Sequence, residues 1–307
     1  MTGGADALLA MARLAVRGLR APKAGAPAPA APRRRIAVER RATVPPAEGM
    51  AAYLRATDGA RIAAFGGPDA VAPPLFCATW ETLATLGLLT QVADALPSFA
   101  GVVHLEGETV PLRPFRPGDR VRCRAELERV DETPRGFRLL VATRNWNAAE
   151  QLCSEGSAAF LVKTRGAAAA REGGRPREAE AAPAALPPGW EEVARWSLGG
   201  GAGRRYARAS GDYNPIHLWG WTARPFGFRR PILHGFCTEA MVAHALVERR
   251  FRGDPAALRR LAIAFRAPLL LPARVRLLAG ELDGRHAFRV VSEDGARTHA
   301  EGSFTGM

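Results

Sequence analysis

A carboxylate and an imidazole lie five positions apart in the segment SGDYNPIH, residues 210–217. Between Asp212 and His217 stands Asn214-Pro215, a turn signal, because proline fixes its own φ and keeps the preceding residue out of the helical region. A segment bent in this way can aim both side chains at one point, as an acid/base pair that handles water near neutral pH requires. The spacing alone also allows an Asx turn in which the aspartate caps backbone amides and the histidine has no chemical role.

The longer segment around this pair resembles the signature of the MaoC-like dehydratases, also called the hydratase 2 or (R)-specific enoyl-CoA hydratase family. That signature has an aromatic residue, a small residue, Gly-Asp-x-Asn-Pro-x-His and a second small residue, and it is matched by Tyr206, residues 210–217 and Ala223. Ala209 departs from the pattern, which usually has a larger aliphatic residue or glycine there. A second family motif, RPILHG at residues 230–235, follows at the expected distance. Two motifs at matched spacing are more specific than one short motif.

The resemblance implies how each residue acts. Asp212 and His217 hold and polarise one water, which adds to the β-carbon of a trans-2-enoyl thioester or leaves in the reverse dehydration. The backbone N–H of Gly235, at the start of a predicted helix, stabilises the enolate-like thioester oxygen. Asn214 orients the pair or the water. Phe265 matches a family position that touches the acyl thioester, although a packed core explains a phenylalanine there equally well.

The remaining histidines are not assigned to the reaction. His234 is expected to help shape the turn beside Gly235. Neither a metal nor a cofactor is expected, and the other histidines are expected to be surface or core residues. These are His104, His244, His286 and His299.

The sequence contains two similar halves. YLRAT at residues 53–57 parallels YARAS at residues 206–210, and EGS at residues 155–157 parallels EGS at residues 301–303. The order of the matches is kept while their offset drifts, as loop-length changes in a duplicated unit would produce. Each half has one helix candidate, at residues 78–92 and 236–250, with apolar residues at helical spacing. The strand candidates are residues 121–130, 138–145, 157–163, 261–265, 275–282 and 287–292.

One helix lying on a curved antiparallel sheet, twice over, predicts an α+β chain with a tandem hot-dog fold, and the family resemblance implies the same double hot dog. Residues 1–46 are predicted to be a flexible, basic, Ala/Pro-rich arm, and residues 166–188 a linker of similar composition. Residues 47–165 form the first hot-dog half and residues 189–307 the catalytic half. The first half lacks Asn-Pro-x-His after Asp58, so we expect it to be structural or to leave room for a bulky acyl chain.

Composition limits the classes of partner. The chain has 307 residues and a net charge of +13, carried almost wholly by scattered arginines. Their scatter, without an aromatic-interleaved stripe, argues against nucleic acid, whereas arginine suits the phosphates of an acyl-CoA. No apolar run approaches the roughly 20 residues of a membrane-spanning helix. The cysteines show no metal-ligand spacing and are expected to be buried thiols. They are Cys77, Cys123, Cys153 and Cys237.

The predicted function is the reversible hydration of trans-2-enoyl-CoA to (3R)-3-hydroxyacyl-CoA in the cytoplasm. The alternatives are a 3-hydroxyacyl-carrier-protein dehydratase, a hot-dog protein with other chemistry such as a thioesterase, and a non-catalytic acyl-binding subunit. An intact Asp-x-Asn-Pro-x-His motif argues against the last two. The sequence leaves open a homodimer of double hot dogs, and organelle targeting by the basic arm.

Overall fold

The structure is a computed structural model that describes residues 36–93, 102–134, 136–163 and 188–307. Within these residues, ten strands form one antiparallel sheet in the order β1-β3-β4-β5-β2-β7-β10-β9-β8-β6. The first half supplies β1 (Ala37–Thr43), β2 (Val102–Pro111), β3 (Arg120–Thr133), β4 (Gly136–Trp146) and β5 (Leu152–Lys163). The second half supplies β6 (Glu191–Leu198), β7 (Leu258–Phe265), β8 (Ala273–Leu282), β9 (Arg285–Ser292) and β10 (Thr298–Gly306).

Each half of the sheet is paired with one long helix. The helices of the described residues are α1 (Ala47–Ala56), α2 (Ala78–Ala93), α3 (Ala202–Ser210), α4 (Gly220–Ala223) and α5 (Gly235–Arg249). The two long helix predictions are confirmed to within one residue at each end. Every residue of α5 from Cys237 to Val247 is buried, as expected of a helix enclosed by a sheet. The helix α2 packs on β1 and β3, and α5 packs on β6, β7 and β2.

The two halves join edge to edge through β2 and β7. Gly107 of β2 lies opposite Ile263 of β7, and the pairing continues on either side. This junction pairs backbone groups that would otherwise be exposed at two strand edges. One hydrophobic core runs through both halves and includes the rings of Tyr53 and Tyr206, whose centroids are 6.0 Å apart. The junction also brings β2 of the first half against α5 of the second.

The strand β1 corrects the predicted end of the N-terminal arm. Ala37–Thr43 pairs with β3 along its whole length, from Ala37 opposite Glu126 to Thr43 opposite Arg120. The prediction missed this strand because the basic composition of the arm continues into it. An edge strand can carry such exposed arginines on its solvent side. Residues 1–35, and residues 166–187 of the predicted linker, lie outside the described residues, so their roles stay predictions.

Two expectations from composition have structural counterparts. All four cysteines are buried free thiols, as expected. None of the helices in the described ranges is both long and apolar enough to cross a membrane.

Candidate active site

The loop after α3 positions His217. Gly211 ends the helix with φ 80°, a left-handed conformation that glycine adopts readily. A short 3₁₀ turn, Pro215–His217, follows, and the side chain of Asn214 caps it by accepting a hydrogen bond from the Ile216 N–H at 3.4 Å. This turn directs the imidazole of His217 into the protein, where it is buried.

One hydrogen bond sets the tautomer of His217. Its Nδ1 lies 2.9 Å from the carbonyl oxygen of Ile232, and because a carbonyl only accepts, Nδ1 carries the hydrogen. Burial, with the neighbouring His234, lowers the pKa of His217 to about 3, so the ring is neutral at pH 7. In this state Nε2 has a free lone pair and can accept a proton.

Asp212 converges on the same point. Its Oδ1 accepts a hydrogen bond from the Asn214 N–H at 3.1 Å, so the Asx turn that the spacing allowed is present. Among the described residues, nothing donates a hydrogen bond to Oδ2. A carboxylate oxygen of Asp212 and a ring nitrogen from each of His217 and His234 lie within 4.8 Å of one another. The carboxylate can therefore face a water that also reaches the imidazole.

His234 holds this arrangement together. Its ring stacks on that of His217, with centroids 3.7 Å apart and planes inclined by 25°. Its Nε2–H donates to the backbone oxygen of Asp212 at 2.9 Å, and the ring of Tyr206 packs 4.8 Å from it. His234 thus fixes the backbone of Asp212 relative to the ring of His217, which fits the expectation that it shapes the turn.

Asp212, His217 and His234 are also residue types that bind transition metals. The stacked rings do not suit that role. A metal lies in the plane of each imidazole that binds it, about 2.0–2.1 Å from the nitrogen. The ring planes of His217 and His234 are inclined by only 25° with centroids 3.7 Å apart, so the two planes intersect much farther from the nitrogens than a metal–nitrogen bond extends. The donor set fits proton transfer better than the coordination of one ion by both rings.

Gly235 begins α5 beside these groups. As the first helical residue its N–H has no acceptor within the helix, and it lies at the positive end of the helix dipole. A Cβ at this position would lie 2.4 Å from Nδ1 of His104, so only glycine fits without a shift. This N–H makes no backbone hydrogen bond among the described residues, so it can donate to an anionic oxygen.

The ring against Gly235 belongs to β2 of the first half, a contact that the sequence analysis missed. His104 donates from Nε2 to the Glu106 carbonyl at 2.8 Å, which leaves a lone pair on Nδ1. That Nδ1 is buried and has no hydrogen-bond partner among the described residues. Desolvation lowers the pKa of His104 to about 4, so the ring is neutral. No sequence signal near His104 could have found this contact, because it depends on the β2–β7 junction.

Aromatic rings surround His104. The ring of Phe265 lies 5.0 Å away, that of Phe160 lies 5.1 Å away, and that of Phe236 lies 4.5 Å away. Phe265 is thus near Gly235, and its contact with a substrate stays a prediction. Asn214 reaches the same strand, since its Nδ2 donates to the Val102 carbonyl at 3.3 Å. Its observed contacts hold the loop in place, and its predicted orientation of the water stays a prediction.

The equivalent region of the first half is filled by protein. Asp58 follows α1 in a left-handed conformation, φ 57°, as Gly211 follows α3, so Gly59 stands where Asp212 does in the second half. A Cβ on Gly59 would lie 2.5 Å from Nδ1 of His244, which leaves no room for a carboxylate. The indole of Trp196 donates to Asp58 at 2.9 Å. Among the described residues, a carboxylate and an imidazole converge in this way in the second half alone.

Open grooves lie elsewhere on the described surface. One, of about 510 Å³, crosses the outer face of the sheet and is lined by ion-paired side chains such as Arg266 and Glu301, 2.8 Å apart. Its lining includes no histidine or cysteine. The convergence of titratable groups, rather than the size of a groove, therefore identifies the candidate site.

Comparison with known proteins connects this site to a family. Residues 202–302 match the model of the MaoC like domain. The chain is similar to 3-hydroxyacyl-thioester dehydratase X of Mycobacterium tuberculosis, with 33% identity over 184 residues. The match spans 60% of this chain and 61% of that relative, so the chain spans less than two thirds of the relative's length.

Solved structures confirm the fold. The crystal structure of HtdX from Mycobacterium tuberculosis has a TM-score of 0.67 and 22% identity, over 88% of this chain and all of that one. A Mycobacterium tuberculosis protein described as having a double hotdog fold has a TM-score of 0.54 and 15% identity, over 89% of this chain and 96% of its own. The tandem hot-dog prediction is confirmed.

Proposed function

We propose that the chain is a hydro-lyase acting on acyl thioesters, because residues 202–302 match the model of the MaoC like domain. The reaction is the reversible addition of water to a trans-2-enoyl-CoA, which gives a (3R)-3-hydroxyacyl-CoA. The name of the similar 3-hydroxyacyl-thioester dehydratase supports the substrate class. The carrier-protein thioester is the alternative substrate.

One observation carries the proposal. The Ile232 carbonyl accepts a hydrogen bond from Nδ1–H of His217, so Nε2 carries the free lone pair. The imidazole of His217 and the carboxylate of Asp212 belong to one cluster, in which the lone pair can accept a proton. Gly235 is the first residue of the neighbouring helix, and its N–H has no acceptor within that helix. A base, a carboxylate and an oxyanion donor are the set that addition of water to an enoyl thioester requires.

In the hydration direction, Asp212 and His217 hold one water. The water oxygen forms a bond to C3 of the enoyl group, and the pair takes its proton. The π electrons of the C2–C3 bond move toward the thioester carbonyl, whose oxygen becomes enolate-like. The proton then returns to C2 on the same face, and no other reactant is consumed. Dehydration follows the same steps in reverse.

Gly235 stabilises the intermediate charge. Its N–H donates to the enolate oxygen, and the helix dipole favours negative charge at the same point. The neutral ring of His104, whose Nδ1 is buried, excludes water from one side of this contact. A hydrogen bond to a developing charge is stronger in such an environment than in water.

The first half supports the site without an acid/base pair of its own. His104 and the Val102 carbonyl belong to β2, so the first half supplies a wall and an anchor for the catalytic loop. Whether it also accommodates a long acyl chain is tested by varying chain length. The homodimer and the cytoplasmic location stay predictions from the sequence.

The decisive experiment follows the loss of enoyl absorbance when purified protein is mixed with crotonyl-CoA and with a longer enoyl-CoA. Chiral analysis of the product then tests the (3R) configuration. We expect turnover of at least one substrate and a (3R) product. No hydration of either thioester, or a (3S) product, would contradict the proposal.

A further inference from the structure

Two stacked tryptophans follow directly after His217. Trp219 is 44% exposed and Trp221 is 71% exposed, and their ring centroids are 5.9 Å apart with planes inclined by only 19°. The hydroxyl of Thr222 donates to the Pro215 carbonyl at 2.6 Å and so holds this segment against the catalytic turn. Exposed, contiguous aromatic surface of this kind marks a binding site more often than an isolated exposed residue does. We call Trp219 and Trp221 the tryptophan platform.

The surroundings of the tryptophan platform are strongly basic. Residues 199–235 contain six arginines and one acidic residue, Asp212. Within the described part of the chain none of the six forms an ion pair, whereas sheet arginines such as Arg260 lie 2.7 Å from a glutamate. The guanidinium of Arg204 lies 5.8 Å from the ring centre of Trp219. The six are Arg204, Arg205, Arg208, Arg224, Arg229 and Arg230.

Charge decides which occupant fits. A second copy of this chain, docked by a two-fold axis, would place these arginines against themselves. Residues 1–35 carry seven basic side chains and one acidic side chain, so they are repelled as well. An occupant that complements the surface must be anionic, and it must offer a planar face to the exposed rings.

We propose that the tryptophan platform, with Arg224, Arg229 and Arg230, binds the adenine nucleotide of an acyl-CoA. The base stacks on an indole face, and the guanidinium groups bind the pyrophosphate and the 3′-phosphate. Trp219 is two residues from His217, so their α-carbons are at most about 7 Å apart. The pantetheine arm then leads from the surface to Gly235. This inference rests on the proposed function and names CoA, not a carrier protein, as the carrier of the thioester.

The test compares two thioesters of the same enoyl group, one on CoA and one on pantetheine without the nucleotide. In the parent protein we expect a lower KM for the CoA thioester. In W219A/W221A, and separately in R229A/R230A, the KM for the CoA thioester should rise at least about fivefold. The ratio of the two KM values should then approach one. W219F/W221F retains two rings and should recover part of the loss.

Matched controls and a direct titration separate the possible failures. Leu282→Ala and Arg285→Ala change exposed side chains on the far strands and should leave the KM ratio of the parent. Adenosine 3′,5′-bisphosphate should quench tryptophan fluorescence in the parent and not in W219A/W221A, whether or not any thioester turns over. A parent that turns over neither thioester contradicts the proposed function, and the titration still tests the platform. If the variants turn over both thioesters with the KM ratio of the parent, the nucleotide site is wrong and the proposed function stands. The same conclusion follows if the variants lose turnover only of a carrier-protein thioester.

Discussion

The imidazole of His104 occupies the space that any side chain on Gly235 would need, since a Cβ there would lie 2.4 Å from Nδ1. The two residues come from different halves of the duplicated chain and meet only because β2 pairs with β7. Packing against His104 therefore already requires glycine at residue 235, whatever approaches its backbone from the other side.

Replacing Gly235 tests this relationship. Gly235→Ala should push the ring of His104 aside and displace the N–H from the enolate oxygen, so kcat should fall more than KM rises. Loss of one oxyanion donor costs on the order of 10²–10³ in rate. Steady-state kinetics with an enoyl-CoA measures both constants.

The double variant separates crowding from chemistry. His104→Ala opens the space, so G235A/H104A should lose less activity than the two single losses combined, because the two changes share one contact. His104→Ala alone is the control. Strictly additive losses would contradict the steric coupling.

The acid/base pair gives a second prediction. Asp212→Asn and His217→Gln should each lower kcat by about 10²–10⁴-fold, because each removes a group that holds or accepts the proton of the water. The double variant should lose little more than either single variant, since the residues act as a unit. Near-normal turnover in either single variant would rule out its assignment.

Asp58→Asn, the same chemical change in the corresponding loop of the first half, is the control for the pair. Asp58 follows α1 in the first half and accepts a hydrogen bond from the indole of Trp196. An asparagine oxygen can still accept that bond. The variant should therefore keep the activity of the parent, and circular dichroism should confirm that each variant is folded.

Chelation gives a third prediction. The stacked planes of His217 and His234 prevent both rings from binding one ion, so proton transfer by Asp212 and His217 should need none. Dialysis against a strong chelator should leave kcat unchanged, and added Zn²⁺ should not raise it. A loss of turnover that Zn²⁺ restores would show that the three side chains form a metal site.

The sequence predicted the features that depend on local pattern. The long helices α2 and α5 were predicted within one residue, and the convergence of Asp212 and His217 followed from the Asn-Pro turn. The strand β2 was missed because Gly107 and its flanking glutamates interrupt the apolar alternation. Without β2, neither the junction of the two halves nor the place of His104 could be predicted.

Other features depend on contacts between residues that are distant in sequence. The filled site of the first half requires His244, from α5, to lie against Gly59 after α1. The stacking of His234 on His217 likewise requires two separate loops to meet. A single sequence shows the residue types in such contacts, while the packing of the two halves decides which of them touch.

The last prediction concerns pH and stability. His217, His234 and His244 are buried and His104 is partly buried, and desolvation is the main cause that lowers their pKa values to about 3, 3, 4 and 4. Below about pH 6.5 the unfolded chain binds protons that the folded chain does not. The free energy of unfolding therefore decreases as the pH is lowered below this value.

Buried Glu239 acts in the opposite direction. Desolvation raises its pKa to about 8, so the folded state keeps a proton that the unfolded state releases above about pH 4.3, and stability falls as pH rises to 8. Four histidines outweigh one glutamate on the acidic side. Stability should therefore be greatest near pH 7 and lower at pH 5 by on the order of 5 kcal/mol.

Urea unfolding at pH 5, 7 and 8 measures this profile. Glu239→Gln keeps an acceptor for the Thr109 hydroxyl, which lies 3.0 Å from Oε1, and removes the titration. It should remove the decline between pH 7 and 8 and steepen the decline between pH 7 and 5, because Glu239 no longer offsets the histidines there. Equal free energies of unfolding at pH 5 and 7 in the parent protein would mean that these histidines are not buried in the neutral form.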